Sequence, residues 1–414
     1  MYLTQQQRDL RQQVREFAAA EVAPRVDSME ADRRVEQNLP GLIARQGWIG
    51  VAVSRQFGGL GVGHKAKTLV IEELSRVSAA TGAAVQASQL GTAPIVHFGS
   101  MEQQQAWLPQ IAAGECLPTI AVTEPGSGSH VLGMESTARR SGRSYVLNGR
   151  KCYVGNSHIG DVHSVVVRTG KGRGRRSLSA FLVEADRPGL SLVPYGPRHG
   201  LHGFSFGELV LDGCRIPEAN MIGEPGDGLD VAYSSSVLYG RPNLAAVSLG
   251  IHQAILDTTS VYTGKQHRYG APLAALSTVE QRLGQMRGAV MSGRIIAYHA
   301  AGMLDGGESC DAELVNSKFQ TAKWVIESAH MAMEAHGAAG LLPGNRIERL
   351  QRDAQHMWSP AGTGDVQAKR LAEGVSGCNE HLPWSEVLAA SLATTCDGMV
   401  PDPVLSNAGA EAHA

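Results

Sequence analysis

The chain has 414 residues, is 43% hydrophobic and 18% charged, and carries a net charge of −2. That balance is typical of a folded globular protein too long for one ordinary core, and it gives no sign of attraction to nucleic acid or to a membrane surface. No apolar run approaches the roughly 20 residues needed to span a bilayer. The first residues, MYLTQQQRDLRQQV, are polar and helical in character, unlike a signal peptide. The cysteines (Cys116, Cys152, Cys214, Cys310, Cys378 and Cys396) are scattered without a CxxC pair. They read as reduced thiols in a cytoplasmic protein, and no metal-ligand spacing stands out.

Residues 4–22 read as a helix. Thr4 and Gln7 have the spacing of a capping box, and Leu10, Val14, Phe17 and Ala18 share one face. Residues 39–46, 69–76, 81–98 and 102–113 read as further helices, with 54–63 as a loop. Short apolar runs between turns then replace the helical period, at 120–123, 144–154, 164–168, 178–183 and 209–210. Asn148-Gly149 carries the signal of a tight hairpin turn. The basic run KGRGRRS at 171–177 reads as a solvated hairpin tip. From residue 229 the helical period returns. It predicts helices over 237–263, from Ser277, over 312–336, and from 367. Ser277 and Glu280 form a second capping box, with Leu283, Met286, Val290 and Ile296 on the core face. After about residue 394 the composition is small and polar, as in a disordered tail. The plan is α+β: a helical domain over 1–118, a β domain over 119–228, a helical bundle over 229–395 and a tail over 396–414.

The stretch richest in chemistry is AVTEPGSGSHVLG, residues 121–133. Glycine lets backbone approach a ligand closely, and successive N–H groups in such turns make anion- or carbonyl-binding concavities. Composition alone describes it as a Gly-rich loop beside a strand. Cys152 lacks a partner His at recognisable spacing, so it reads as a small buried residue rather than a nucleophile.

Five segments occur in order: QLGTAP at 89–94, TEPGSGS at 123–129, NGRKCYVGN at 148–156, ELVLDGCRIPEANMIGEPGDG at 208–228 and RIERLQRDA at 346–354. With them the chain resembles the acyl-CoA dehydrogenase family of flavoproteins over roughly residues 4–390. The resemblance implies an N-terminal helical domain, a central β domain and a C-terminal four-helix bundle, assembled as a homodimer or homotetramer. It implies FAD between the β domain and the bundle, and an acyl thioester of CoA or of an acyl-carrier protein as substrate. By the same resemblance, Val122, Thr123, Gly128 and Ser129 meet the ring and phosphate side of the flavin. Tyr153 stands where the family has an aromatic packed on the flavin, and Gly155, Thr363 and Arg268 complete the cofactor set. Arg241 matches an arginine near the start of the first bundle helix, on the substrate side.

The chain departs from the family at its proton acceptor. The base of α,β-dehydrogenation is a Glu shortly after the Arg-Asp-Ala segment, and that position is Ala361. Some members carry the Glu directly before the bundle arginine, and that position is Gly240. At the diphosphate end, Gln266, Glu334 and Asp365 replace an expected Arg and two Gln, positions that in the family reach the FAD of a neighbouring subunit. Separately, His130 replaces the family's Asp after Gly-Ser. Asp365, Tyr239, His158 and His130 are the titratable candidates left, each with a plainer reading: helix cap, core aromatic, hydrogen-bonded or surface histidines. Three readings stay open. One is an acyl-thioester flavoprotein with another base, in a specialised biosynthetic role. Another is a subunit of a hetero-oligomeric dehydrogenase. The third is a scaffold repurposed for a non-oxidative or oxygenating step, or for binding alone.

Overall fold

Thr4 accepts the amide of Gln7 and the Gln7 side chain answers on the Thr4 amide, so the capping box opens α1 (Gln5–Phe17) as expected. The computed structural model describes residues 3–196, 198–377 and 383–387; the expected tail, Cys378 and Cys396 lie outside them. After α1 come α2 (Val26–Asp32), α3 (Leu39–Ala44), α4 (Gly63–Val77), α5 (Ala79–Phe98) and α6 (Met101–Ala113). The fourth helix begins six residues before the expected run, with backbone amides of its first turn capped by the distant Asp305. A cap supplied from 240 residues away leaves no local signal.

The strands are β1 (Pro118–Ala121), β2 (Thr137–Ser141), β3 (Ser144–Gly155), β4 (Val162–Arg168), β5 (Leu178–Glu184), β6 (Leu190–Pro194), β7 (Phe206–Pro217) and β8 (Met221–Ile222). Among the described residues they form one eight-stranded sheet in the order β6-β7-β3-β2-β4-β5-β8, with β1 parallel on β4. Alternation along β4 serves two cores. Val162 and Val166 pack in the cluster shared with the helices, and Val165 and Val167 in the cluster behind the sheet.

The expected turn at Asn148-Gly149 is corrected. Both residues lie inside the continuous strand β3, at a register shift against β7. Gly149 has φ +144°, and a Cβ there would stand 2.1 Å from Ser136 Oγ, so the glycine serves an irregular, crowded strand site. The hairpin turn falls earlier, around Gly142 at φ +64°. The basic run does form the tip between β4 and β5, but it is anchored: Arg175 and Arg176 pair with Asp230 and Asp227 at 2.5 Å each.

The remaining helices are α7 (Gly228–Ser235), α8 (Arg241–Lys265), α9 (Ser277–Asp305), α10 (Asp311–His336), α11 (Arg346–Gln355) and α12 (Gly364–Ser376). A small hairpin of β9 (His267–Arg268) and β10 (Ala271–Pro272) follows α8. The expected box at Ser277 is corrected: Leu276 is the N-cap and no side chain caps α9. Among the described residues no helix is long and apolar enough to cross a membrane.

Candidate functional site

The loop from β1 to β2 is built around one carboxylate. Glu124 accepts the amides of Glu135 at 2.6 Å and Ser136 at 3.1 Å, and the ammonium of Lys151 at 2.7 Å. Lys151 is fully buried on β3 and also donates to the Val122 carbonyl at 3.0 Å. Burial pushes the Glu124 carboxyl up, but Lys151 and the amides outweigh it and hold the group below its usual range. Glu124 and Ser127 exchange backbone bonds at 3.0 Å each, and Ser127 Oγ closes the turn on the His130 carbonyl at 2.6 Å. Residues 124–130 are therefore held in one conformation. The Thr123 hydroxyl and the amides of Gly128 and Ser129 have no hydrogen-bond partner among the described residues. A Cβ on Gly128 would meet nothing within 4 Å, so these groups face open space.

The adjoining end of β3 carries Tyr153. Cys152 N donates to the Thr123 carbonyl at 2.9 Å, which ties the strand end to the loop. The Cys152 thiol is buried and its pKa is raised, chiefly by that burial, which makes it a packing residue. Tyr153 sits at φ +57° and is 63% exposed, with its ring near Tyr195 and Phe206. A non-glycine in the left-handed region with an exposed ring is a feature that clusters at ligand sites. A Cβ at Gly155 would stand 3.0 Å from Ala87 on α5, so the strand end fits closely on that helix. His158 Nδ1 lies 3.1 Å from the hydroxyls of both Ser157 and Ser205, and burial lowers its pKa. It is a hydrogen-bonded histidine of the turn after β3.

The two positions vacant of a base converge. Between α7 and α8 the chain makes a π turn, Ser236–Gly240, in which the Arg241 amide reaches back to the Ser236 carbonyl. Such turns concentrate at functional sites. A Cβ on Gly240 would stand 3.3 Å from Ala361 Cβ and 3.7 Å from Leu90 Cδ1. Ala361 itself is strained at φ +54°. Its loop is held by Lys318, which donates to the carbonyls of Trp358 and Gly362 at 2.7 Å each, and by Gln367, which donates to the Ala361 carbonyl at 2.7 Å. Arg241 is buried with its Nε unpartnered, and burial lowers its pKa to about 10.

Several expected residues lie apart from this face. Asp365 does not cap the last helix: Thr363 does, accepting the Val366 amide, while Asp365 is exposed in the first turn. Glu334 pairs with Arg282 at 2.9 Å, which offsets the charge assigned to it near a pyrophosphate. His130 is exposed. Arg268 and Gln266 follow the C-terminal end of α8, whose 25 residues span about 36 Å from Arg241. Within one chain Arg268 is not brought to the Gly240–Ala361 face.

Sequence reasoning missed a basic cluster behind Gly240. Lys67, His64 and His97 surround the ring of Tyr239. They come from the start of α4, the end of α5 and the π turn, so no local motif joins them. Among the described residues no group of three or more His, Cys, Asp or Glu side chains could hold a metal ion.

Residues 4–115, 119–214 and 226–376 match, respectively, the family descriptions acyl-CoA dehydrogenase N-terminal, middle and C-terminal domain. An acyl-CoA dehydrogenase of Bacillus subtilis (strain 168) is 33% identical over 91% of this chain and 100% of its own length. The solved butyryl-CoA dehydrogenase of Megasphaera elsdenii superposes with a TM-score of 0.88 at 25% identity, covering 91% of this chain and 99% of that one. The FAD complex of PigA superposes with a TM-score of 0.87 at 25% identity, over 91% and 99% of the two chains. The chain belongs to the acyl-CoA dehydrogenase family.

Proposed function

We propose that this chain binds FAD and acts as an oxidoreductase on an acyl thioester of CoA or of an acyl-carrier protein, without a carboxylate base at either family position. The observation that carries the reading is the loop held by Glu124 and Lys151, with the Thr123 hydroxyl and the amides of Gly128 and Ser129 left free toward open space. Those donors suit the carbonyl and phosphate oxygens of FAD, and the exposed Tyr153 ring suits stacking on an aromatic cofactor. The bound flavin would supply the hydride chemistry. Val122 and Gly155 would line the same end of the loop and strand. Thr363 would sit at the opposite wall, at the start of α12. Arg241 would act from behind the reacting face. Arg268, some 36 Å along α8, fits a site on a neighbouring copy of a homo-oligomer.

Gly240 and Ala361 meet as two small residues, so an acyl group there finds space and no proton acceptor from either. Asp365 is exposed and His158 is engaged by two serines, which removes both as simple replacements. A specialised biosynthetic substrate fits this loss better than bulk fatty-acid oxidation. Purified protein should be yellow, with about one FAD per chain by absorbance. Ala361→Glu should create or raise dehydrogenase activity on simple acyl-CoAs. Colourless protein that ignores added FAD would sink the reading.

A further inference from the structure

Lys67 is fully buried on α4, yet among the described residues its ammonium is hydrogen-bonded to a single oxygen, the Leu238 carbonyl at 3.4 Å. The residue four places after Leu238 is Pro242, which has no N–H to offer that carbonyl in helical fashion. The other contact of the ammonium is the face of Tyr239, 4.0 Å from the ring centroid. His64 and His97 pack on the same ring with centroids 5.3 and 5.7 Å away. Nδ1 of His64 and Nε2 of His97 are buried without a hydrogen-bond partner among the described residues. Asp305 is the acid whose charge reaches Lys67, and its carboxylate is taken up by the amides of His64 and Lys65. Three basic side chains thus share one interior spot, and among the described residues no carboxylate is hydrogen-bonded to any of these side chains.

An interior cation without a counter-ion is costly. On the same helix the buried carboxylates do have partners: Glu72 is held by Arg294 and Tyr298, and Glu73 by Arg15. Lys67 is the exception, and it lies against the π turn that presents Gly240 to Ala361. We propose that Lys67, His64 and His97, gathered on Tyr239 beside the Gly240–Ala361 face, form a receptor for a carboxylate carried on the acyl group of the substrate. The inference rests on the acyl-thioester reading above. A carboxylate would accept charge-assisted hydrogen bonds from the ammonium and an imidazole N–H. Its arrival would restore full charge to Lys67, which burial otherwise holds down to about 7.

The test compares two pantetheine thioesters of equal carbon count, glutaryl- and pentanoyl-pantetheine, by calorimetry on the full chain supplied with FAD. Pantetheine is the part common to both carriers. The glutaryl thioester should bind at least tenfold more tightly. Lys67→Met should abolish that preference and leave pentanoyl binding unchanged, while Lys67→Arg should keep most of it. His97→Phe, which keeps a ring on Tyr239, should weaken glutaryl binding severalfold. Equal affinities in the wild type, which need no variant to measure, would overturn the receptor alone. So would a preference that survives Lys67→Met. Failure of both thioesters to bind would instead remove the acyl-thioester reading, and the receptor with it.

Discussion

Lys151 and Lys67 are both fully buried, as is Lys318 among the described residues, but the first two are buried in opposite ways. Lys151 in the β domain has a carboxylate at 2.7 Å and a carbonyl at 3.0 Å, and the whole loop 122–135 depends on that pair. Lys67 in the N-terminal helices has one long contact and an aromatic face. The first is architecture, because its charge is used up inside the protein. The second has hydrogen-bonding capacity left over beside a reacting face. Buried charge alone does not mark a site; buried charge that its surroundings fail to satisfy does.

Removing each cation should separate the two. Lys151→Met leaves Glu124 buried and unpaired, and should cost about 3–5 kcal/mol of stability by urea unfolding, with loss of bound flavin. Lys67→Met strands no counter-ion and should cost nothing or stabilise, because a hydrophobe replaces an unpaired interior charge. Equal losses in the two variants would erase the contrast. A smaller effect is expected at the loop. Thr123→Val removes a free hydroxyl without disturbing the Glu124–Lys151 pair, so it should lower FAD affinity by roughly tenfold, about 1.4 kcal/mol, at unchanged stability. FAD retention on dilution measures this.

The finest test is pH. Lys67 is lowered from its ordinary 10.5 to about 7 by burial. Between those values the unfolded chain holds a proton at this position that the folded chain has released. Stability must therefore rise with pH across that window, by up to about 1.4 kcal/mol per pH unit from this group. Other buried lysines add to the wild-type slope, so the difference between wild type and Lys67→Met is the quantity to measure. Urea midpoints at pH 7 and 9 should diverge less in the variant. An unchanged pH slope would mean that Lys67 keeps its proton in the folded chain across that window.

Much of the fold was legible because its signals are local. The Thr4–Gln7 box and the helical period need only a few neighbouring residues, and they appear where expected. The errors share one cause. Asn148-Gly149 has turn chemistry, but the pairing of β3 with β7 and the crowding by Ser136 make it part of a strand. Ser277 has cap chemistry, but the preceding Leu276 takes the cap position. Asp365 likewise yields to Thr363. In each case a long-range contact or a shift of one or two residues decided between two locally acceptable states.

By itself the sequence determined the α+β plan, the loop of Thr123 to Ser129 and the absence of a carboxylate at residues 240 and 361, since these are matters of residue identity and order. Only the tertiary structure decided that Gly240 and Ala361 face each other, that Glu124 is spent on Lys151, and that Lys67 meets His64, His97 and Tyr239 with its charge unanswered. The physical reason is that satisfaction of a polar group belongs to all the groups around it. Those groups are set by packing among segments far apart in the chain, not by the residue's own neighbours.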